Sequence, residues 1–381
     1  MRVAEKPLLR IEAIEAEKGI IFRPEGLLAP LARPIIQRIN RIFADEKPIE
    51  RGQNRLIFST WIPPAPSLAF DRMISAQVGA IIGRRVPDQL SIAVIRSCPN
   101  SCIHCSSPLS EGDVLSNTII KRAIDQGLEM GSYLITFDGG EPMLRKDLPD
   151  LVSHVDERAI SASFTSGYGL TEKLAQSLKL SGLYAIRVSI DSPYQDEHDR
   201  VRGREGAFSD ALSGVKNALS LGLLVDLFMV VSPFNIDQLE DAYSLASELG
   251  VHELSLYEIV AVGRWADHID DVLTSADISR LASFHKEKNG RKGGPRVSAF
   301  PHLLGPDMFG CFAGRRWAHI DASGEVLPCA YMPLSFGNIK DSSLRDIWKR
   351  MGRNRWFRSC EEGCLMKVRE FRETLSFGEP E

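Results

Sequence analysis

Between Leu90 and about Val260 the chain alternates short apolar runs with longer stretches in which apolar residues recur every three or four positions. Short runs rich in Val, Ile, Leu and Phe mark buried strands, and the 3.6-residue recurrence marks amphipathic helices. Strands are expected at 90–97, 133–138, 160–165, 184–190, 223–231 and 252–259, with helices near 115–130, 147–157, 171–181, 207–221 and 235–249. Six β-α repeats of this length predict an α/β fold with parallel strands, either a partial barrel or an open doubly wound sheet. Upstream, Leu27, Leu31, Ile35, Ile39, Ile42 and Phe43 share one helical face, and a second pattern runs through Phe70, Ile74, Val78, Ile81 and Ile82. Residues 1–88 therefore read as a mostly helical extension, to which Leu8-Leu-Arg-Ile and Gly19-Ile-Ile-Phe could add one hairpin. The helix bearing Arg33, Arg38 and Arg41 could lie on anionic lipid. Packing against the barrel is the preferred expectation, with Thr60-Trp-Ile-Pro-Pro-Ala-Pro as a stiff linker.

After residue 288 the pattern changes. Asn289-Gly-Arg-Lys-Gly-Gly-Pro-Arg296 is a Gly-rich basic break. Beyond it, Trp317 to Ile320, an Asp-Ala-Ser-Gly turn and Glu325 to Leu327 predict a hairpin, and Leu344-Arg-Asp-Ile-Trp348 a short helix. The expected organisation is an extension at 1–88, a barrel or sheet at 89–290, and a small hairpin and helix module at 291–381.

Length and charge narrow the field. A chain of 381 residues can bury a sizeable core. A formal net charge of −4 argues against general nucleic-acid binding, which needs a basic excess. There is no eighteen-residue apolar run, and Met1-Arg-Val-Ala-Glu-Lys-Pro lacks the apolar core of a signal peptide, so a cytoplasmic location is expected. Seven cysteines suit thiolate ligands in a reducing compartment better than complete disulfide pairing.

The chemistry gathers where strands end. The apolar run Leu90-Ser-Ile-Ala-Val-Ile delivers Cys98-Pro-Asn-Ser-Cys102-Ile-His-Cys105 into a loop. A 4Fe-4S cluster held by three cysteines keeps one iron open for an outside ligand, whereas zinc sites usually want four ligands. The second strand ends in Gly139-Gly140-Glu141-Pro142, where glycines let a ligand lie against backbone and a carboxylate can accept from an ammonium group. Ser166 ends the third strand, and Ser189 and Asp191 share one face at the end of the fourth, placed to meet ligand hydroxyls. Arg202, in a basic Gly-containing loop, could pair with a carboxylate, and Arg264 is a further candidate. His104 lies between the cysteines, as a neighbour of the site rather than a general base. Cys311, Cys329, Cys360 and Cys364 form a second set, near which lie Asp321 and Tyr331; four thiolates suit zinc or an iron-sulfur cluster equally well.

CxxxCxxC followed about thirty residues later by GGEP resembles the radical S-adenosylmethionine (radical SAM) superfamily. The resemblance implies a partial (β/α)6 barrel in which Cys98, Cys102 and Cys105 hold a 4Fe-4S cluster. It also implies that the amine and carboxylate of S-adenosylmethionine (SAM) chelate the open iron. Gly139, Gly140 and Glu141 would bind the amine, with Ser166, Ser189, Asp191 and Arg202 as further SAM contacts. The C-terminal module resembles the SPASM/twitch extension in Gly324-x4-Cys329, Phe336-Gly-Asn-Ile339 and Leu344-x-x-Ile-Trp348. Four cysteines rather than about seven imply the shorter, twitch-like form, with one auxiliary 4Fe-4S cluster on Cys311, Cys329, Cys360 and Cys364 that assists electron transfer.

The activity so implied is reductive cleavage of SAM to a 5'-deoxyadenosyl radical that abstracts hydrogen from a substrate carbon, driven by an external donor such as flavodoxin or ferredoxin. The substrate expected first is a peptide or protein side chain; a lipid, tetrapyrrole or other small molecule is the alternative. Outside this class stand a zinc-stabilised binding module and an electron-transfer iron-sulfur protein, the latter disfavoured by the Gly139 to Glu141 motif.

Overall fold

The computed structural model describes residues 2–6, 8–15, 19–43, 46–52, 54–81, 83–107, 114–305, 308–358 and 363–376. The chain begins with a three-stranded antiparallel sheet, β1 (Arg2–Lys6), β2 (Leu9–Glu15) and β3 (Ile20–Glu25), in that order. A mostly helical extension is therefore only half of what forms. Leu9, Ile11 and Ala13 alternate inward with Ile20 and Phe22, but strands this short carry few repeats of the period-2 signal beside the longer helical pattern. Helix α1 (Ala29–Phe43) covers that sheet with Ala32 and Ile36, leaving Leu27 and Leu31 80% and 66% exposed. The short hairpin β4 (Glu50–Arg51) and β5 (Leu56–Ile57) leads to α2 (Leu68–Ile81).

The body follows as β-α repeats: β6 (Gln89–Ile95), α3 (Asn117–Met130), β7 (Leu134–Gly139), α4 (Leu148–Ser153), β8 (Ile160–Thr165), α5 (Glu172–Leu180) and β9 (Ala185–Ser189). Next come α6 (Gln195–Arg202), α7 (Ala207–Ser220), β10 (Leu224–Val231), α8 (Leu239–Leu249), β11 (Glu253–Glu258), α9 (Ser275–Asn289) and β12 (Arg296–Ala299). Helix starts obey local chemistry: Ser116 and Thr171 accept from backbone N–H groups at the starts of α3 and α5, and Thr274 and Asp277 form a reciprocal capping box on α9. After α10 (Phe300–Leu303), strand β13 (Trp317–Ile320) pairs in parallel with β6, and β14 (Val326–Leu327) turns back beside it; α11 (Leu344–Arg353) and α12 (Arg369–Ser376) complete the described chain.

The expected hairpin thus exists, but it continues the main sheet, whose order is β12-β11-β10-β9-β8-β7-β6-β13-β14. The expected linker ends in a strand, because Val297 and Ala299 are fully buried and Ser298 and Arg296 point to the opposite face. The two edges of the sheet approach one another: Tyr331, just after β14, lies 6.2 Å from Trp317 of β13 and 6.4 Å from Tyr257 of β11, ring centre to ring centre. The sheet is curled into a partial barrel, with Ile92, Val94, Ile135, Phe137, Ile186 and Val188 facing the helices.

The segment expected as a linker before α2 plugs the barrel instead. Thr60 is fully buried, and its hydroxyl and the Trp61 indole both donate to Asp226, each at 3.1 Å. Ser59 and Ser298 donate to Glu253, and the Arg187 guanidinium lies 3.6 Å from the centre of the Trp61 ring. Such a network is tolerable inside a core because nearly every charge has a partner. Proline content suggested stiffness; the Thr60-Trp61 pair just before the prolines carries the packing.

Beside this plug lies an apolar cavity of about 170 Å³ between the N-terminal module and the barrel.

Candidate functional site

At the carboxyl ends of the strands opens a larger cavity of about 620 Å³, lined by Cys98, Cys102 and Cys105, by Gly139, Gly140 and Glu141, and by Ser166, Ser189 and Arg202. Sequence reasoning placed these residues at separate strand ends; curvature of the sheet brings them together.

The cysteine loop is held by backbone. Ser101 N–H donates to Arg202 O at 2.9 Å and Ile103 N–H to Val201 O at 3.0 Å, so the end of α6 carries it on one side. On the other side Arg264 N–H donates to Cys105 O at 3.0 Å, and the Arg264 guanidinium reaches Cys102 O at 3.3 Å. Arg264 thus positions the loop. Gly263 makes that contact with φ of +57°; a Cβ there would stand 2.2 Å from Cys105 O.

The Gly139-Gly140-Glu141 segment runs against the chain leading into Cys98. Gly140 N–H donates to Ile95 O at 2.8 Å and Glu141 N–H to Ser97 O at 2.9 Å. A Cβ on Gly140 would lie 2.2 Å from Ser97 O, so no side chain fits between the two strands. Glu141 is buried and its carboxylate accepts from the Thr165 hydroxyl at 2.7 Å, from Ser166 N–H at 2.7 Å and hydroxyl at 2.5 Å, and from Met143 N–H at 3.1 Å. Burial pushes its carboxyl up, and the Ser166 and Thr165 bonds oppose that. In this arrangement Glu141 braces the turn after β8.

Asp191 does not line the cavity; it lies behind the wall, 2.8 Å from Arg202 Nε and 3.6 Å from His104 Nε2. Burial pushes its carboxyl up, but Arg202 and His104 outweigh that and hold it below the usual carboxylate range. Arg202 in turn reaches Cys102 Sγ at 3.8 Å, so Asp191 aims a cation at the sulfur.

Cys329 is buried and Cys311 and Cys364 half-buried, in the wall formed by β14 and the segment before α12. Burial raises all three thiols, Cys329 to about 12, and the charges of Cys311 and Cys329 push the Cys364 thiol further up. Cys360 lies outside the described residues. Tyr331 lines the large cavity next to this set, whereas Asp321 accepts from Ser323 and Glu325 N–H and holds the hairpin turn.

The family model of the radical SAM superfamily matches residues 92–246, and that of an iron-sulfur cluster-binding domain, SPASM, matches 311–372. The chain is 31% identical over 285 residues to an Fe-coproporphyrin III synthase of Methanosarcina barkeri, covering 66% of this chain and 71% of that protein. It is 29% identical over 277 residues to a PqqA peptide cyclase of Granulibacter bethesdensis, covering 69% and 74%. Among solved structures, Streptococcus suis SuiB bound to precursor peptide SuiA superposes with a TM-score of 0.65 at 17% identity, over 79% of this chain and 77% of that one. The chain belongs to the radical SAM superfamily and carries a SPASM-type domain. As a radical SAM enzyme it uses 4Fe-4S clusters and SAM.

Three thiols on one loop at the cavity lip match a cluster that keeps one iron open, although among the described residues no three Cys, His, Asp or Glu side chains stand gathered to hold a metal ion. Burial raises the Cys98 thiol to about 11 and lifts Cys105 as well, so thiolates at this lip need the compensating positive charge that an iron core supplies. Asn100 Nδ2, buried beside the cysteines, makes no hydrogen bond among the described residues and faces the same cavity.

One pair escaped the sequence reading. Asp138 lines the large cavity with Oδ1 unpartnered among the described residues, while Oδ2 stands 3.7 Å from His319 Nδ1. His319 is hydrogen-bonded to Ser91 at 2.8 Å, and the Trp317 indole donates to the same hydroxyl. Burial pushes the Asp138 carboxyl up, with His319 opposing. The available signal was an acid at an inward position of a strand, read only as the end of an apolar run.

Proposed function

We propose that Cys98, Cys102 and Cys105 hold the SAM-cleaving cluster, that Gly139 to Glu141, Ser166, Ser189 and Arg202 receive SAM, and that Cys311, Cys329, Cys360 and Cys364 hold the auxiliary cluster. With the first cluster bound, reductive cleavage of SAM supplies methionine and a 5'-deoxyadenosyl radical able to abstract hydrogen from an unactivated carbon. The chain's own residues do the rest. Backbone of the Gly139-Gly140 segment offers a close-approach surface for the methionyl end of SAM, Arg202 offers a cation on the cysteine side, and Ser166 and Ser189 offer small hydroxyls across the cavity. Phe164, Phe228 and Tyr331 line the inner wall and exclude water from the reacting carbon. Asp138 offers an unpaired carboxyl oxygen to a polar hydrogen of the substrate.

The substrate read here is a peptide or protein side chain. The observation that carries this reading is the N-terminal sheet, in which β3 is an edge strand, because an extended peptide can add to such an edge by main-chain hydrogen bonds. The relative named as a peptide cyclase and the precursor peptide bound by SuiB point the same way. The synthase relative favours a second reading, a tetrapyrrole. A cytoplasmic setting and a flavodoxin or ferredoxin donor accord with both. The test is to incubate reconstituted enzyme, SAM and dithionite with deuterated peptides encoded beside the enzyme's gene, and in parallel with iron coproporphyrin III. Deuterium appearing in 5'-deoxyadenosine with the peptide supports the first reading; turnover with the porphyrin alone replaces it with the second.

A further inference from the structure

The apolar cavity beside the barrel plug lies outside the radical site. Ile36 of α1, Phe70 and Ile74 of α2, and Phe300 and Leu303 of α10 contribute to its lining. Protein interiors are normally packed without voids of this size, and the surfaces that line it come from both the N-terminal module and the barrel. Its volume of about 170 Å³ is close to that of an engineered apolar cavity of roughly 150 Å³ that stays dry and takes up benzene.

The charged groups at its rim already have partners. Arg316 pairs with Asp88, and Arg296 with Glu46. No charge is left over to receive a headgroup; of the polar neutral residues in the lining, Ser59 and Ser298 already donate to Glu253 and Gln77 and Gln89 add amide side chains, and most of the rest is hydrocarbon and aromatic ring. Tyr257 and Trp317 line its inner side and touch Tyr331, which lines the large cavity, at 6.4 Å and 6.2 Å between ring centres.

We propose that this cavity is a binding site for a neutral apolar group, one aromatic ring or a hydrocarbon segment of similar bulk. The size match and the paired rim charges favour such a group over an ion. The proposal stands independently of the peptide or tetrapyrrole reading, since no SAM-site residue takes part.

Bromobenzene is the probe, because bromine quenches indole emission on contact and Trp61 and Trp317 line the cavity. With the reconstituted full chain, saturable quenching is expected together with a rise in melting temperature. The anion 4-bromobenzoate is expected to bind at least tenfold more weakly. Ile74→Phe and the milder Ala65→Leu each fill the void and are expected to weaken bromobenzene at least tenfold while 5'-deoxyadenosine formation stays at the wild-type level. Ala65→Leu decides the matter if Ile74→Phe fails to fold. Quenching that never saturates, equal binding of the benzoate, or undiminished binding by the folded variants would overturn the proposal. Loss of 5'-deoxyadenosine formation by the wild type would bear on the radical reading alone.

Discussion

Gly140→Ala is the sharpest perturbation of the SAM site. The new Cβ would lie 2.2 Å from Ser97 O and 2.4 Å from Arg96 O, where real Cβ contacts stop near 3.0 Å. The strand bearing Gly140 must therefore part from the Cys98 segment by about 0.8 Å. Both obstructing atoms are backbone, so no side chain can swing aside. Parting strains the bonds from Gly140 N–H to Ile95 O and Glu141 N–H to Ser97 O, at roughly 1 kcal/mol each, and moves the backbone proposed to receive SAM relative to the cysteines. Misplacement on the order of 1 Å costs about 100-fold in rate. The expected result is a fall of about 100-fold in 5'-deoxyadenosine formation, with SAM affinity in equilibrium dialysis weakened at least tenfold and iron content preserved. A variant that folds, keeps its iron and cleaves SAM within threefold of wild type would refute the argument that backbone proximity builds the site.

Asp138→Asn keeps shape but removes the proton acceptor: substrate turnover should fall by about 100-fold while substrate-free SAM cleavage stays within twofold, and an equal loss in both assays would remove Asp138 from substrate chemistry. Glu46→Gln takes from the buried Arg296 guanidinium the nearer of its two carboxylates, leaving Glu253 at 3.7 Å from Nε, so denaturant unfolding should show a loss of roughly 3 kcal/mol; a loss below about 1 kcal/mol would mean that Glu253 alone suffices. The Asp226 carboxyl, raised to about 7 by burial and by Glu253, binds its proton more tightly folded than unfolded. Its contribution to stability is therefore complete below the ordinary aspartate range and is lost as pH rises through about 7. Melting temperature should fall between pH 5 and 8, with a shallower slope in Asp226→Asn, and parallel slopes would contradict the assignment.

The barrel strands were legible because each carries a compact apolar run, and the site because Cys98 to Cys105 and Gly139 to Pro142 sit where those runs end. Other features depend on tertiary partners. Thr60 and Trp61 look like linker until Asp226, Ser255 and Arg187 surround them. β12 is four residues long and follows Gly-Gly-Pro, so only its place beside β11 makes it a strand. His198 to Arg202, the first part of the stretch to Phe208 read as a basic loop, belongs to the helix Gln195–Arg202, whose end holds the cysteine loop, a role invisible without the Ser101 and Ile103 contacts. Asp191 was expected to touch ligand; burial puts it behind Arg202. Asp138 was passed over because one acid in an apolar strand gives no pattern until His319 arrives from β13.

The central claim is a SAM-cleaving cluster with an auxiliary cluster in the same chain. Anaerobic reconstitution with iron and sulfide, followed by iron counting and a dithionite-driven SAM-cleavage assay on the same sample, tests it directly. About eight irons per chain with formation of 5'-deoxyadenosine is the predicted result. A fully loaded, reducible sample that yields no 5'-deoxyadenosine, with or without the peptide and porphyrin probes, would contradict it.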